Sequence, residues 1–416
     1  MTGERPRRIE ICNPGAMHFT YALGAAVQRL GYAGRYHTSL YYKTAAWRSW
    51  LALLPPGLRR RAERQLRRRL HAGLDADRVV SHNVIEGLRL AAGRAGFAGS
   101  ALMRWRNRTA DRRMAQLVRR RPPAAVIGHD TAALLTLMAA REVGSLGILN
   151  QVIGHRALGE PLLLADLARW PAFAEERQLK PDPAMTDYCR QEALAAGHCL
   201  APSDYVRQTL EAVGVAAERI SVLPYGVDVE RFRPRSGERM PGPVRLLFVG
   251  QLSQRKGLAY LLEALAGLPQ GLVEATLVGP LSAPPAALAP YADRFRHLPA
   301  VPYQEVHRVF ADADVFVYPS LHEGSALAIY EALAAGLPVV TTPNSGSVVE
   351  EGRQGFLVPA GSVAPLRERI GELAEDVALR RRMAEAARAR ALEFTWTRYE
   401  QSLRHTLEEL IGPPAN

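Results

Sequence analysis

Two carboxylates, Glu323 and Glu331, enclose seven uncharged residues in the phrase EGSALAIYE. The run before them, DVFVYPSLH, reads as a buried strand that Pro319 ends, and ALAAGLPVVTT follows. The pattern predicts a helix from near Ser325, with Glu323 on the loop at the strand's carboxyl end and Glu331 about two turns along. Eight residues of ideal helix turn about 800°, leaving the two positions about 80° and about 12 Å apart. They are therefore not a side-by-side acid and base. They suit two parts of one extended ligand, with the free amides of Gly324, Ser325, Ala326 and Leu327 between them as an anion site. Carboxylates suit sugar hydroxyls and amides suit phosphate, which together outline a sugar nucleotide. Acidic residues near a helix start also favour the helix dipole without any ligand, so the neighbouring residues decide.

Arg255 and Lys256 follow the strand VRLLFVG in the segment FVGQLSQRKGLAYLLEAL. Cations on such a strand-end loop can neutralise a diphosphate and the charge that grows on it as a glycosidic bond breaks. His129 in VIGHD and His155 in VIGHR hold similar strand-end positions, and His18 starts a helix after the loop NPGAMH. His18 and His155 are candidates for the acceptor side of a cleft. Asp312 and Asp314 precede a strand, so DAD reads as helix end and strand start, and no metal ligation is expected. Cys12, Cys189 and Cys199 have neither metal-ligand spacing nor a disulfide count, which predicts reduced thiols. No Walker loop or Ser/His/Asp signature is present.

The elements that position these residues alternate between short β-rich runs and helical patterns. RRIEICN, AAVIGHD, GILNQVIGH, HCLAPS and ISVLPYGVD each lead into or follow a helix in the first half. VRLLFVG, EATLVG, DVFVYPS, LPVVTT and GFLVP do so in the second. Such alternation implies parallel sheets covered on both faces. Proline, glycine and arginine replace apolar periodicity in VERFRPRSGERMPGPV, which marks a linker at 229–243. The expected architecture is two doubly wound α/β domains, 1–228 and 244–393, facing a cleft at the carboxyl ends of their strands.

A chain of 416 residues exceeds what one core usually supports. Its 48% hydrophobic and 23% charged residues fit a globular protein. No apolar stretch of signal-peptide length opens the sequence, and the longest apolar run, at 131–140, is too short to span a bilayer. A cytoplasmic location is expected. The formal net charge of +12 attracts anions. Much of it lies in GLRRRAERQLRRRL (57–70) and RWRNRTADRRMAQLVRRR (104–121). These read either as solvated arginine faces or as a surface that docks on anionic lipid, with Trp47, Trp50, Leu51, Leu54, Leu66 and Leu70 as apolar contacts. Nucleic acid or a polyanionic acceptor is the less favoured partner.

PSLHEGSALAIYEALAAGLPVV resembles the Glu-x7-Glu signature of retaining GT-B glycosyltransferases of family 4 and its relatives. VLPYGVDVERFRP, FVGQLSQRKGLAYLLEAL, APSDYVRQTL, EGRQGFLVP and FTWTRY are similar to further phrases of that family, from about residue 198 to the end. The first 190 residues match in layout alone. The resemblance implies a nucleotide-diphosphate sugar donor held by the second domain, a glycan, lipid-linked or other hydroxyl acceptor held by the first, and no metal or cofactor. It implies that Glu331 accepts hydrogen bonds from the ribose, that Glu323 lies by the donor sugar and reacting carbon, and that Lys256 and Arg255 meet the diphosphate. It places Gly250 and Gln251 beside the donor, Gly15 in a loop approaching the diphosphate, and His129 near the donor sugar or acceptor. Donor-base contacts fall around Val301 to Tyr303. A closing helix at 394–416 is expected to return to the first domain. Gln251 departs from the family pattern, which has a phosphate-binding arginine there; Arg255 is the candidate substitute. The rival readings are a sugar-nucleotide epimerase of the same fold and a catalytically weakened scaffold subunit.

Overall fold

Runs such as IEIC and AVIGH are buried along their whole length, as strands must be when helices cover both faces of a sheet. The computed structural model describes residues 7–15, 18–43, 51–52, 54–67, 69–82, 86, 99–174, 181–235, 242–299, 301–302 and 304–414. Trp47, Trp50 and Tyr303, together with the side chain of His18, lie outside what is described.

The first sheet contains β1 (Ile9–Cys12), β2 (Tyr36–Thr38), β3 (Val79–Ser81), β4 (Ala125–His129), β5 (Leu146–Asn150), β6 (His198–Ala201) and β7 (Ile220–Val222), in the order β3-β2-β1-β4-β5-β6-β7. The second contains β8 (Val244–Val249), β9 (Val273–Val278), β10 (Phe295–Leu298), β11 (Val315–Tyr318), β12 (Val339–Thr341) and β13 (Gly355–Leu357), in the order β10-β9-β8-β11-β12-β13. All named strand pairs are parallel, with Ile11 opposite Ile127 and Val315 opposite Leu246. Chain order reverses between β1 and β4 and between β8 and β11. Those switch points open crevices at the carboxyl ends of the strands.

Each sheet has its own core. Leu246, Phe248, Phe316 and Ile329 anchor the second, and Ile9, Tyr21, Ile127 and Ile148 the first. The helix Trp396–Ile411 sends Tyr399, Leu403 and Leu407 into the first core, so the chain's last helix packs with its first strands. Thr395 starts it by accepting from the amide of Arg398. The segment read as a linker begins inside the second core: Phe232 is 1% exposed there, and Arg388 donates to the carbonyls of Val229 and Phe232. Residues 236–241 of that segment lie outside the description.

The arginine-rich stretches form the helices Pro56–Arg67 and Gly99–Arg120. Cys12, Cys189 and Cys199 are buried and free. Among the described residues no helix is long and apolar enough to cross a membrane.

Candidate active site

The site grows from the carboxyl ends of β8 and β11. A single turn, Gln254–Lys256, follows β8 and ends at Gly257, whose φ of 76° lies in the left-handed region. A Cβ there would fall 2.0 Å from the Pro319 carbonyl oxygen, so the position requires glycine. This packing aims both cations at the loop after β11. Arg255 lies 2.9 Å from Glu323 Oε2 and donates to the His322 carbonyl at 3.0 Å, while the Lys256 ammonium pairs with the same carboxylate oxygen. Lys256 is 8% exposed and sits 5.0 Å from the centroid of Tyr318. Burial first, and the charge of Arg255 second, pull its ammonium well below the usual lysine range.

Glu331 stands on the helix Leu327–Ala334, which starts two residues later than its sequence suggests, with Ala326 as its cap. Burial raises its carboxyl to about 8, opposed by the charge of Arg231. Among the described residues its carboxylate makes no hydrogen bond. The expected row of four free amides is corrected. Gly324 N donates to Glu323 Oε1 and Ala326 N donates to the Ser345 carbonyl. Ser325 and Leu327 keep amides without an intramolecular partner among the described residues, and the Ser325 hydroxyl pairs with that of Tyr330 at 2.9 Å.

The loop carrying Glu323 is bound to the first half of the chain. Gly154 N donates to the Glu323 carbonyl at 3.1 Å, and Ser203 Oγ lies at 2.5 Å from the Gly324 carbonyl. A Cβ on Gly324 would come within 1.8 Å of the Val152 carbonyl oxygen. The glycine of EGS is thus a point of close backbone approach.

His129 ends β4 and is 3% exposed. Its Nδ1 lies 3.2 Å from the Cys12 carbonyl, Nε2 has no partner among the described residues, and burial lowers the ring to about 4. It is a neutral imidazole with an acceptor lone pair on Nε2. His155 is a different case: fully buried, it caps the helix Arg156–Arg169 by accepting from the amide of Ala157. The acceptor-side expectation for His155 gives way to this structural role. His18 starts the helix His18–Arg29.

Gly250 donates its amide to the Val278 carbonyl, and Gln251 is exposed with its amide paired to the Ser282 hydroxyl. The Gly15 amide is spent on Asn13 Oδ1 at 2.8 Å, and its carbonyl accepts from Thr38, so that amide is not free for a diphosphate. Asp312 ends the helix Val306–Ala311, and Asp314 accepts from the amide of Arg245 at the edge of β11. Among the described residues no group of three His, Cys, Asp or Glu side chains is arranged to hold a metal.

Sequence reasoning passed over Asp130 and Thr131. They line a cavity of about 320 Å³ with Gln151, Arg156, Glu160 and Arg255, which joins both halves of the chain at the cleft. Burial raises Asp130 to about 7. Thr131 has φ 71°, held by Glu192, which accepts from the amides of Thr131 and Ala133, and by Asn107, which donates to its hydroxyl. A strained residue beside a buried carboxyl at a strand end is the kind of arrangement that functional sites retain. The visible signal was the Asp of VIGHD at that strand end.

Against known proteins, the family described as Glycosyltransferase Family 4 matches residues 89–231, and that described as Glycosyl transferases group 1 matches residues 243–376. The chain is 33% identical over 217 residues to the amylovoran biosynthesis glycosyltransferase AmsK of Erwinia amylovora, covering 48% of this chain and 53% of that one. It is 32% identical over 236 residues to a D-inositol 3-phosphate glycosyltransferase of Corynebacterium jeikeium, covering 50% and 56%. The chain spans about half the length of the relatives it matches. Among solved structures, sucrose-phosphate synthase of Thermosynechococcus elongatus superposes with a TM-score of 0.65 at 16% identity, covering 97% of this chain and 99% of that one. Anabaena HepE in complex with UDP-glucose superposes with a TM-score of 0.60 at 16% identity, covering 97% and 100%. The chain has the GT-B fold, and in both halves it resembles glycosyltransferases of group 1 and family 4.

Proposed function

We propose that this protein is a retaining, metal-independent glycosyltransferase that moves a sugar from a nucleotide-diphosphate sugar to a hydroxyl acceptor, a glycan or a lipid-linked one, in the synthesis of cell-surface polysaccharide or glycolipid. The observation that carries the reading is the convergence of Arg255 and Lys256 on Glu323 at the edge of the cleft, with Glu331 on the adjoining helix. A donor diphosphate competes for the same two cations. As the glycosidic bond lengthens, negative charge accumulates on the leaving phosphate, and preorganised cations stabilise it most at the transition state. Glu323 then serves the donor sugar's hydroxyls and reacting carbon, and Glu331 the ribose. The leaving phosphate takes the acceptor's proton on the face it departs from, so no covalent enzyme intermediate is required. His129, neutral, offers a hydrogen-bond acceptor to a sugar hydroxyl.

The relative named for amylovoran biosynthesis favours a polysaccharide pathway. Exposed Leu54, Leu58 and Leu70 around the basic helix Pro56–Arg67 support attachment to an anionic membrane surface on the cytoplasmic side. The test is thermal stabilisation of wild type and Glu331→Ala by UDP, GDP, ADP and their sugar conjugates, followed by nucleotide release. UDP leads the series because Anabaena HepE was crystallised with it. One base that stabilises the wild type, stabilises the mutant less, and is released from its sugar conjugate is the expected result. No response to any nucleotide removes the reading.

A further inference from the structure

The first half holds a second cavity, of about 300 Å³, between the carboxyl ends of β1 to β3 and the helix Gly99–Arg120. Its lining is mainly apolar, with Cys12, Val80, Ala110, Met114 and Leu117, and includes the buried polar residues His37, Thr38 and Ser39 on the side of β2. Its rim carries Arg106, Arg113, Arg120 and His82, and among the described residues no carboxylate lines it. The three arginines are spaced by seven. Seven residues of α-helix make nearly two turns, so they form one stripe rising about 10 Å per step and about 21 Å in all.

The three arginines are not equivalent. Arg106 is tied to Asn107 and lies 3.6 Å from the buried Glu86. Arg113 and Arg120 are exposed and make no ion pair among the described residues. Arg113 and His82 line the same cavity, where burial first and the charge of Arg113 second lower the His82 ring from its usual range. A solvated arginine face does not need an apolar hollow along its length, and an apolar hollow does not need cations along its edge. Together they match one chemistry: an apolar chain joined to phosphate.

We infer that this cavity binds the phosphorylated end of a lipid-borne acceptor, with the first part of the hydrocarbon chain against Cys12, Met114 and Leu117 and the phosphate against Arg113 and Arg120. The inference deepens the transferase reading by naming the acceptor class, and it rests on that reading for its place in the reaction. The position fits such a role, because Cys12, which lines the cavity, also bonds through its carbonyl to His129 at the end of β4. A volume of about 300 Å³ receives only the head-proximal part of a long chain; the remainder leaves through the mouth.

The test is direct binding of farnesyl phosphate to the full-length protein by titration calorimetry, without donor. Farnesol and inorganic phosphate are the controls. The variants are Arg113→Glu/Arg120→Glu and Gln116→Trp, all at exposed positions, the last placing bulk at the cavity wall without changing charge. Farnesyl phosphate is expected to bind at least about tenfold more tightly than either control, and each variant to lose about tenfold or more of that affinity. Nucleotide stabilisation should be unchanged in both. Absence of farnesyl phosphate binding, equal binding of farnesol, or indifference to the variants overturns the assignment. Binding lost with the arginines but kept in Gln116→Trp, together with arginine-dependent binding to anionic phospholipid vesicles, overturns the cavity in favour of surface docking. If nucleotides bind and farnesyl phosphate does not, only this inference falls; if nucleotides also fail, the transferase reading falls with it.

Discussion

His322 Nε2 lies 2.9 Å from the Gly154 carbonyl oxygen, which fastens the residue beside Glu323 to the other half of the chain. The ring's Nδ1 lies 2.7 Å from the Tyr205 hydroxyl. With Nε2–H donating and Nδ1 accepting, the imidazole is neutral, and burial keeps it so by lowering it to about 4. The Glu323 loop is therefore placed by contacts from both sheets.

Crowding that ring is expected to loosen the loop. A Cβ at Gly159 would fall 2.3 Å from His322 Nε2, so Gly159→Ala should cost about 1–3 kcal/mol by overpacking. Turnover should fall while nucleotide affinity, set by the second half, changes little. Tyr205→Phe removes one hydrogen bond and should cost about 1 kcal/mol. Thermal midpoints with separate kcat and nucleotide Kd values check both; a loss of nucleotide affinity equal to the loss of turnover would count against the latch.

Lys256→Ala and Arg255→Ala are each expected to lower turnover about 10²–10³-fold, the scale of removing one preorganised charge-stabilising group. Glu323 keeps one cation in either variant, so the fold should survive. Lys256→Arg should rescue poorly, because Lys256 is 8% exposed with its ammonium over the Tyr318 ring and a planar guanidinium does not fit the space of a point charge. Steady-state kinetics on the donor identified by nucleotide release decide it.

If Glu331 receives the ribose as proposed, donor binding is expected to depend on pH. The Glu331 carboxyl, raised to about 8, accepts ribose hydroxyls best when ionised, so binding releases a proton and affinity rises with pH up to about 8. Below that, affinity should fall by at most about tenfold per pH unit. Calorimetry in buffers of different ionisation enthalpy reads the proton directly. The stability sign is opposite: the folded chain holds this proton above the ordinary value of 4.5, so the group costs stability increasingly as pH rises from there towards 8. Glu331→Gln should raise the thermal midpoint more at pH 8 than at pH 5.

His129, lowered to about 4 by burial, should contribute no titration to the pH–rate profile between pH 5 and 9. His129→Asn should lower turnover without changing the shape of that profile. A limb near pH 6.5 that disappears in the variant contradicts a neutral imidazole.

Much of the frame is written locally. Apolar runs of strand length alternating with helical periods specify parallel sheets, and the strand ends carry Glu323, Arg255, Lys256 and His129 because loops at those ends are where side chains can face a ligand. The strands that escape this reading are the short or polar ones: YHT, VVS and FRHL form β2, β3 and β10. The inner residues of FRHL are exposed, so the hydrophobic pattern is lost there. The return of the closing helix to the first domain is implied by the resemblance, whereas its own amphipathic pattern does not say that Tyr399, Leu403 and Leu407 are the residues that pack there.

Residue types and spacing determined that a cleft would carry carboxylates and cations. Tertiary structure alone decided that Arg255 and Lys256 share one oxygen of Glu323, that the amides of Gly15, Gly324 and Ala326 are already bonded, that His155 caps a helix, and that Asp130 is buried beside a strained Thr131. Arg255 and Glu323 are 68 positions apart and His322 and Gly154 168. Periodicity reports which face of an element is apolar over a few turns. Which polar group meets which across two sheets depends on how the sheets pack, and burial, hydrogen bonding and proton affinity all follow from that packing.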